Sequence, residues 1–130
     1  MKSITQEVTF DATAERVFEA LMDSKQHAAF TGAPARVSRE VGGPVACYDG
    51  MVGGINVELV KNARIVQAWR AKSWAEGVYS IATFALAPAG ASSTKLTFTQ
   101  HGVPDDALEM ITKGWEERYW KPMHAFLAKA

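Results

Sequence analysis

Toward the C-terminus, Leu108, Ile111, Trp115, Tyr119, Pro122 and Phe126 recur at intervals of three and four, the spacing of an apolar stripe along one helix face. Asp105 and Asp106 follow Pro104 and put negative charge where a helix N-terminus favours it. A helix of about 24 residues is about 36 Å long, enough to cross an entire β-sheet. Such a stripe must be covered by something. Pro122 is the irregularity: it cannot donate to the helical ladder, so the last turns are predicted to bend or be interrupted there.

The preceding sequence supplies the cover. From residue 35 to residue 101, short β runs are separated by turn residues: Gly42-Gly43-Pro44, Asp49-Gly50, Lys61-Asn62, Glu76-Gly77 and Pro88-Ala89-Gly90. Ile55, Val57 and Leu59 alternate with Asn56 and Glu58, Phe84 and Leu86 continue the face of Ala82, and Leu96 and Phe98 alternate with Thr97 and Thr99. This is the pattern of an antiparallel meander with one apolar face. At the N-terminus, Ile4, Val8 and Phe10 alternate with polar residues as in a half-buried strand. The period then changes. Ala14, Val17, Phe18 and Leu21 fall at helical spacing behind the N-cap candidate Thr13, predicting a helix over 14–22. A second helix is expected after Ser24, reaching Phe30 and stopped by Gly32 and Pro34. The order is β-α-α-β6-α: an α+β helix-grip fold, a curved antiparallel sheet wrapped around a long C-terminal helix, in one domain over residues 1–130.

At 130 residues, roughly two thirds of the unfolded surface can be buried, enough for a core without disulfide staples. Cys47 has no cysteine partner, and the opening residues lack the apolar run of a signal peptide, so a reducing cytoplasm is expected. No apolar stretch approaches the roughly 20 residues of a membrane span. Fourteen basic residues balance fourteen acidic ones, with no run of like charge to track a phosphate backbone, which argues against nucleic acid. Arg64, Arg70 and Lys72 read as a solvated strand face.

All four tryptophans fall in residues 65–77 and 114–122, the first strand-like and the second helical. A strand bearing Trp69 that faces a helix bearing Trp115 and Trp120 would enclose an aromatic-walled space, available to a solid core or to a ligand. The ligand-binding candidates are Leu59, Trp69, Phe84, Phe98, Trp115 and Tyr119. Ile65, Gln67 and Trp69 share one strand face and Val66, Ala68 and Arg70 the other; Trp69 is expected to point inward, and one of Glu58, Gln67 and Arg70 to orient a ligand's polar end.

Catalytic and metal chemistry find little support. His27, His101 and His124 stand apart without a His-Glu-x-x-His pattern, so no metal site is expected. Cys47 and His101 could serve as nucleophile and base only if the fold brought them together, and nothing in their spacing does so. Gly50-Met51-Val52-Gly53-Gly54 lacks the lysine and hydroxyl residue of a phosphate loop and reads as a hairpin.

Five segments carry a resemblance: 23–32 (Asp23 to Gly32), Val41-Gly42-Gly43-Pro44, Ile65-Val66-Gln67-Ala68-Trp69-Arg70, His101-Gly102-Val103-Pro104 and 114–120 (Gly114 to Trp120). In order and spacing they resemble the heat-shock-protein-90 ATPase activator homologue family, within the START and birch-pollen-allergen-like (SRPBCC) superfamily. The resemblance implies a helix-grip fold with an apolar cavity between sheet and terminal helix, and, for eukaryotic members, a co-chaperone role in the stress response. Those members carry an additional N-terminal domain that contributes to chaperone binding, so chaperone activation is not implied for a single domain. The family offers no catalytic constellation to carry over.

The expectation is therefore a non-enzymatic module, without cofactor or metal, that binds a small hydrophobic or amphipathic molecule, as a monomer or homodimer. A co-chaperone-like interaction domain acting through the outside of the sheet and its loops is the alternative, with a chaperone as partner. A small cyclase, dehydratase or hydrolase is the third reading.

Overall fold

A computed structural model describes residues 1–129. Strand β1 (Lys2–Phe10) leads into helices α1 (Ala14–Met22) and α2 (Ser24–Thr31), followed by β2 (Arg36–Val37), β3 (Pro44–Cys47), β4 (Val52–Val60), β5 (Arg64–Ala71), β6 (Ser80–Gly90) and β7 (Ser93–Val103). All seven strands form one antiparallel sheet in the order β1-β7-β6-β5-β4-β3-β2. The terminal helical segment then passes without a break through a 3-10 turn (Asp105–Ala107), α3 (Leu108–Trp115), a π-turn (Glu116–Trp120) and α4 (Lys121–Ala128). This is the helix-grip order predicted from the sequence.

Local chemistry accounts for the helix ends. The Thr13 hydroxyl accepts from Arg16 N at 3.3 Å and the Asp23 carboxylate from Gln26 N at 3.0 Å, each satisfying an N–H that the first turn leaves free. α2 closes on Gly32 in the left-handed conformation, φ 74°, where a Cβ would be strained. Its N-cap is thus Asp23, one residue ahead of the expected Ser24.

The core lies between the inner sheet face and the helices. Ile4, Phe10, Ile65, Trp69, Ala82, Phe84, Leu86, Leu96 and Phe98 point inward, against Val17, Phe18 and Leu21 of α1, Phe30 of α2, and Trp115, Tyr119, Trp120, Met123 and Leu127 of the terminal helix.

Three local expectations are corrected. In β4 the inward residue is Asn56, while Ile55 and Val57 are exposed and Leu59 only partly buried. A register shift between Asn56 and Glu58 explains this, because one extra residue reverses the alternation. Burial of Asn56 is compensated: its amide donates to Ser38 O at 2.7 Å and Glu40 O at 3.1 Å, and its Oδ1 accepts from Gln67 at 3.2 Å. Second, Pro88-Ala89-Gly90 belongs to β6, not to a turn. β5 pairs with β6 only as far as Ala85, so Pro88 meets no donor-seeking neighbour on that side and its missing N–H carries no penalty.

Third, the buried stripe of the terminal helix does not run on to Pro122 and Phe126. It steps one residue forward, to Trp120, Met123 and Leu127, because the wider π-turn places adjacent Tyr119 and Trp120 both inside. Pro122 neither ends nor visibly breaks the helix. The carbonyl a regular α-helix would pair with its absent N–H, Arg118 O, receives the Tyr48 hydroxyl at 2.7 Å.

Candidate functional site

The two tryptophan-bearing segments do face one another. Trp69 is 5% and Trp115 3% exposed, and their ring centroids lie 5.7 Å apart. Trp115 is the hub. Its ring sits 4.3 Å from Phe98, 4.5 Å from Tyr119, 5.6 Å from Phe84 and 5.6 Å from Trp120, which is stacked on it. Trp74, from the loop after β5, meets Trp69 edge-on at 5.5 Å. At such separations the rings touch, and each favourable pair adds about 0.5–1.5 kcal/mol beyond area burial. Of the six candidate lining residues, Trp69, Phe84, Phe98, Trp115 and Tyr119 converge in this cluster; Leu59 packs against the core from β4, partly buried. They fill the space between sheet and helix with their own rings.

A polar relay crosses the same interior. Trp115 Nε1 donates to Gln100 Oε1 at 2.8 Å, Gln100 Nε2 to Ser80 Oγ at 2.9 Å, and the Ser80 hydroxyl to Trp69 O at 2.8 Å. Trp120 Nε1 donates to Gln6 Oε1 at 2.8 Å. Both buried indoles are thereby satisfied, which fixes the helix rotation relative to the sheet. Of the three strand polar residues weighed as ligand orienters, Gln67 turns inward onto Asn56, Glu58 pairs outward with Arg64 at 2.8 Å, and Arg70 donates to backbone carbonyls of the loop after β5.

A second cluster was not legible in sequence. His27 of α2, Cys47 of β3 and Tyr119 of the π-turn meet in the interior, with Tyr119 Oη 3.1 Å and Cys47 Sγ 3.6 Å from His27 Nε2. Cys47 therefore neighbours His27, not His101, which lies exposed against Ser3 Oγ at 2.8 Å. Burial pushes the imidazole down to about 4 and the Cys47 thiol up to about 11, and holds Tyr119 well above its usual range. All three are neutral near pH 7. Nε2 faces both the Tyr119 hydroxyl and the Cys47 thiol, the donor at each contact being set by the imidazole tautomer, and Nδ1 is a buried atom with no hydrogen-bond partner. A protonated buried thiol is a poor nucleophile and a neutral imidazole this hard to charge a poor base, which argues against acyl transfer at this cluster. Tyr48, at the surface end, meets Tyr119 edge-on at 5.9 Å from a strained backbone, φ 52°.

Two concavities lie on the surface of the described residues. One, about 510 Å³, lies between α2 and the β2–β3 region and includes Lys25, Arg36 and Asp49. The other, about 240 Å³, lies on the outward face of the sheet beside Gly53, Arg70 and Lys72. Among the described residues, no group of three or more His, Cys, Asp or Glu side chains converges as a metal site would need, and no helix is long and apolar enough to cross a membrane.

Comparison with known proteins gives a consistent picture. A human protein named activator of 90 kDa heat shock protein ATPase homolog 1 is 31% identical over 118 residues, covering 91% of this chain and 35% of its own length. A Dictyostelium discoideum protein named as a homolog of the same activator is 28% identical over 115 residues, covering 88% of this chain and 30% of its own. The chain thus spans about a third of the length of the curated relatives it matches. In fold it is similar to a crystal structure of an HSP90 activator from Plasmodium falciparum, with a TM-score of 0.94 at 24% identity, covering 98% of this chain and 97% of the other. The family described as activator of Hsp90 ATPase homolog 1-like protein matches residues 11–128, and this chain belongs to that family.

Proposed function

We propose that this chain is a non-enzymatic, co-chaperone-like interaction domain that binds an Hsp90-type chaperone through its outer surface and alters the chaperone's ATPase turnover. The observation that carries this reading is the occupied interior: with Trp115 in contact with Phe84, Phe98, Tyr119 and Trp120, the space that would admit a small ligand is taken by side chains. Recognition then falls to the sheet face and loops. The names of the human and Dictyostelium relatives supply the partner class. Steady-state ATPase assays of the host's Hsp90 homologue, titrated with the purified chain, test it: a saturable change in turnover is expected, and unchanged turnover at saturating chain refutes it.

The unpartnered Nδ1 of His27 favours a second reading, in which an amphipathic ligand parts the interface formed by Leu59, Trp69, Phe84, Phe98, Trp115 and Tyr119 and presents a polar group to that atom. Titration of the native protein with a naphthalene sulfonate, read by tryptophan fluorescence, discriminates the two. Absence of a saturable change removes the ligand reading.

A further inference from the structure

Among the described residues, six of the nine large apolar side chains that stand exposed, Met51, Ile55, Val57, Val60, Tyr79 and Ile81, belong to β4, the turn before it, the residue that precedes β6, or the start of β6. Ile55, Ala68 and Ile81 are cross-strand neighbours in one row over β4, β5 and β6, on the face turned away from the helices. Beside this row lies the 240 Å³ concavity, walled by Gly53, Gly54, Ile55, Arg70, Lys72 and Tyr79. The hollow exists because Gly53 stands directly opposite Arg70 and has no side chain.

The two glycines differ in kind. A Cβ on Gly54 would run into Ala68 O, so backbone packing demands glycine there. A Cβ on Gly53 would meet only Val45 O, at an ordinary 3.5 Å, so nothing in the fold requires position 53 to be empty.

Charge decides what the hollow would accept. Arg70 is pre-set: its Nη2 donates to Trp74 O at 2.6 Å and Ala75 O at 3.0 Å, its Nε to Val78 O at 3.3 Å, and its guanidinium lies 5.7 Å over the Tyr79 ring. Those partners are neutral. Lys72, two residues beyond Arg70 and just past the end of β5, is exposed, its backbone N–H tied to Met51 O. Among the described residues, the four ion pairs involve neither cation, and no carboxylate lines the hollow. Two uncompensated cations beside apolar walls complement a carboxylate adjoining an apolar side chain, the chemistry of an acidic protein segment. A nucleic-acid backbone would call for more cations and less aliphatic surface.

We propose that this hollow docks an acidic segment of a partner protein, with a carboxylate held between Arg70 and Lys72 and a neighbouring apolar side chain seated against Ile55, Ile81 and Tyr79. This rests on the reading of the chain as a protein-interaction domain. The test measures binding of the host's Hsp90 homologue by calorimetry for the wild-type chain and for Gly53→Val, Lys72→Glu and the control Lys25→Glu at the other concavity, after urea unfolding shows each variant folded. Gly53→Val puts a β-branched side chain directly against Arg70, its Cβ in ordinary contact with Val45 O, and Lys72→Glu reverses the rim charge. Each is expected to weaken binding about tenfold or more, about 1.4 kcal/mol, while Lys25→Glu leaves it unchanged; wild-type affinity falls as salt rises. Wild-type binding that both hollow variants retain overturns this inference and spares the interaction reading. No binding by the wild-type chain overturns both. Self-association of the chain that both variants abolish would assign the hollow to a second copy and overturn the acidic-segment proposal.

Discussion

Acidifying the protein should charge His27 at a measurable loss of stability. The imidazole lies 3% exposed between α2, β3 and the π-turn, faced by the neutral Cys47 and Tyr119 groups, and no carboxylate pairs with it among the described residues. Burial lowers it from 6.5 to about 4 in the fold. The unfolded chain therefore binds the proton first as pH falls, and stability is complete above about pH 6.5 and drains away toward pH 4. At about 1.4 kcal/mol per pH unit, the loss attributable to this residue is about 3 kcal/mol, a large share of the roughly 5–15 kcal/mol typical of a domain. His27→Gln removes the titration while offering the Tyr119 hydroxyl an amide group to pair with. Urea denaturation of both proteins at half-unit steps from pH 8 to pH 4 isolates the effect, because carboxylates elsewhere contribute equally to each. The wild-type minus variant difference is expected to fall by about 3 kcal/mol across that range, steepest between pH 6 and pH 4.5. A difference flat to within about 0.5 kcal/mol would refute the argument, showing that His27 reaches water or a counter-charge in the fold.

Trp115→Phe leaves Gln100 Oε1 without its donor and removes part of the hub, so urea unfolding should show a loss of about 2–4 kcal/mol with an unchanged m-value. Tyr48→Phe should cost about 1 kcal/mol by releasing Arg118 O. In a Pro122→Ala background, where a new N–H can serve that carbonyl, the same substitution should cost almost nothing; equal costs in the two backgrounds would sink the assignment. Gly54→Ala should lose several kcal/mol or fail to fold, whereas Gly53→Ala should stay within about 1 kcal/mol of wild type, compared by thermal unfolding.

What the sequence disclosed followed from periodicity. Phe84 with Leu86, Leu96 with Phe98, and the Thr13-capped stretch through Met22 all obey a single repeat from end to end, and the fold honours each. The misreadings sit where one residue slips the repeat: the shift at Asn56 inverts β4, and the π-turn moves the buried stripe from Pro122 and Phe126 to Met123 and Leu127. Neither slip has a compositional mark, since an asparagine among valines reads as solvent-facing until three partners are found for its side chain. The facing of Trp69 and Trp115 was legible because each lies on a strongly periodic element. The meeting of His27, Cys47 and Tyr119 was not, as it depends on how three elements far apart in sequence converge. The hollow beside Gly53 was equally silent: a glycine in a strand does not announce which side it leaves open.

The single added residue in the terminal helix has a consequence for length. Each helical residue turns the chain by about 100°, and the π-turn absorbs one residue beyond the regular spiral, so deleting one exposed position within it, such as Glu117, would restore that spiral and leave everything beyond it facing as it does now. Met123 and Leu127 would then continue the spacing of Ile111 and Trp115 and remain on the buried face. A one-residue deletion, ruinous in a regular buried helix, would here cost little more than the contacts of the residue removed.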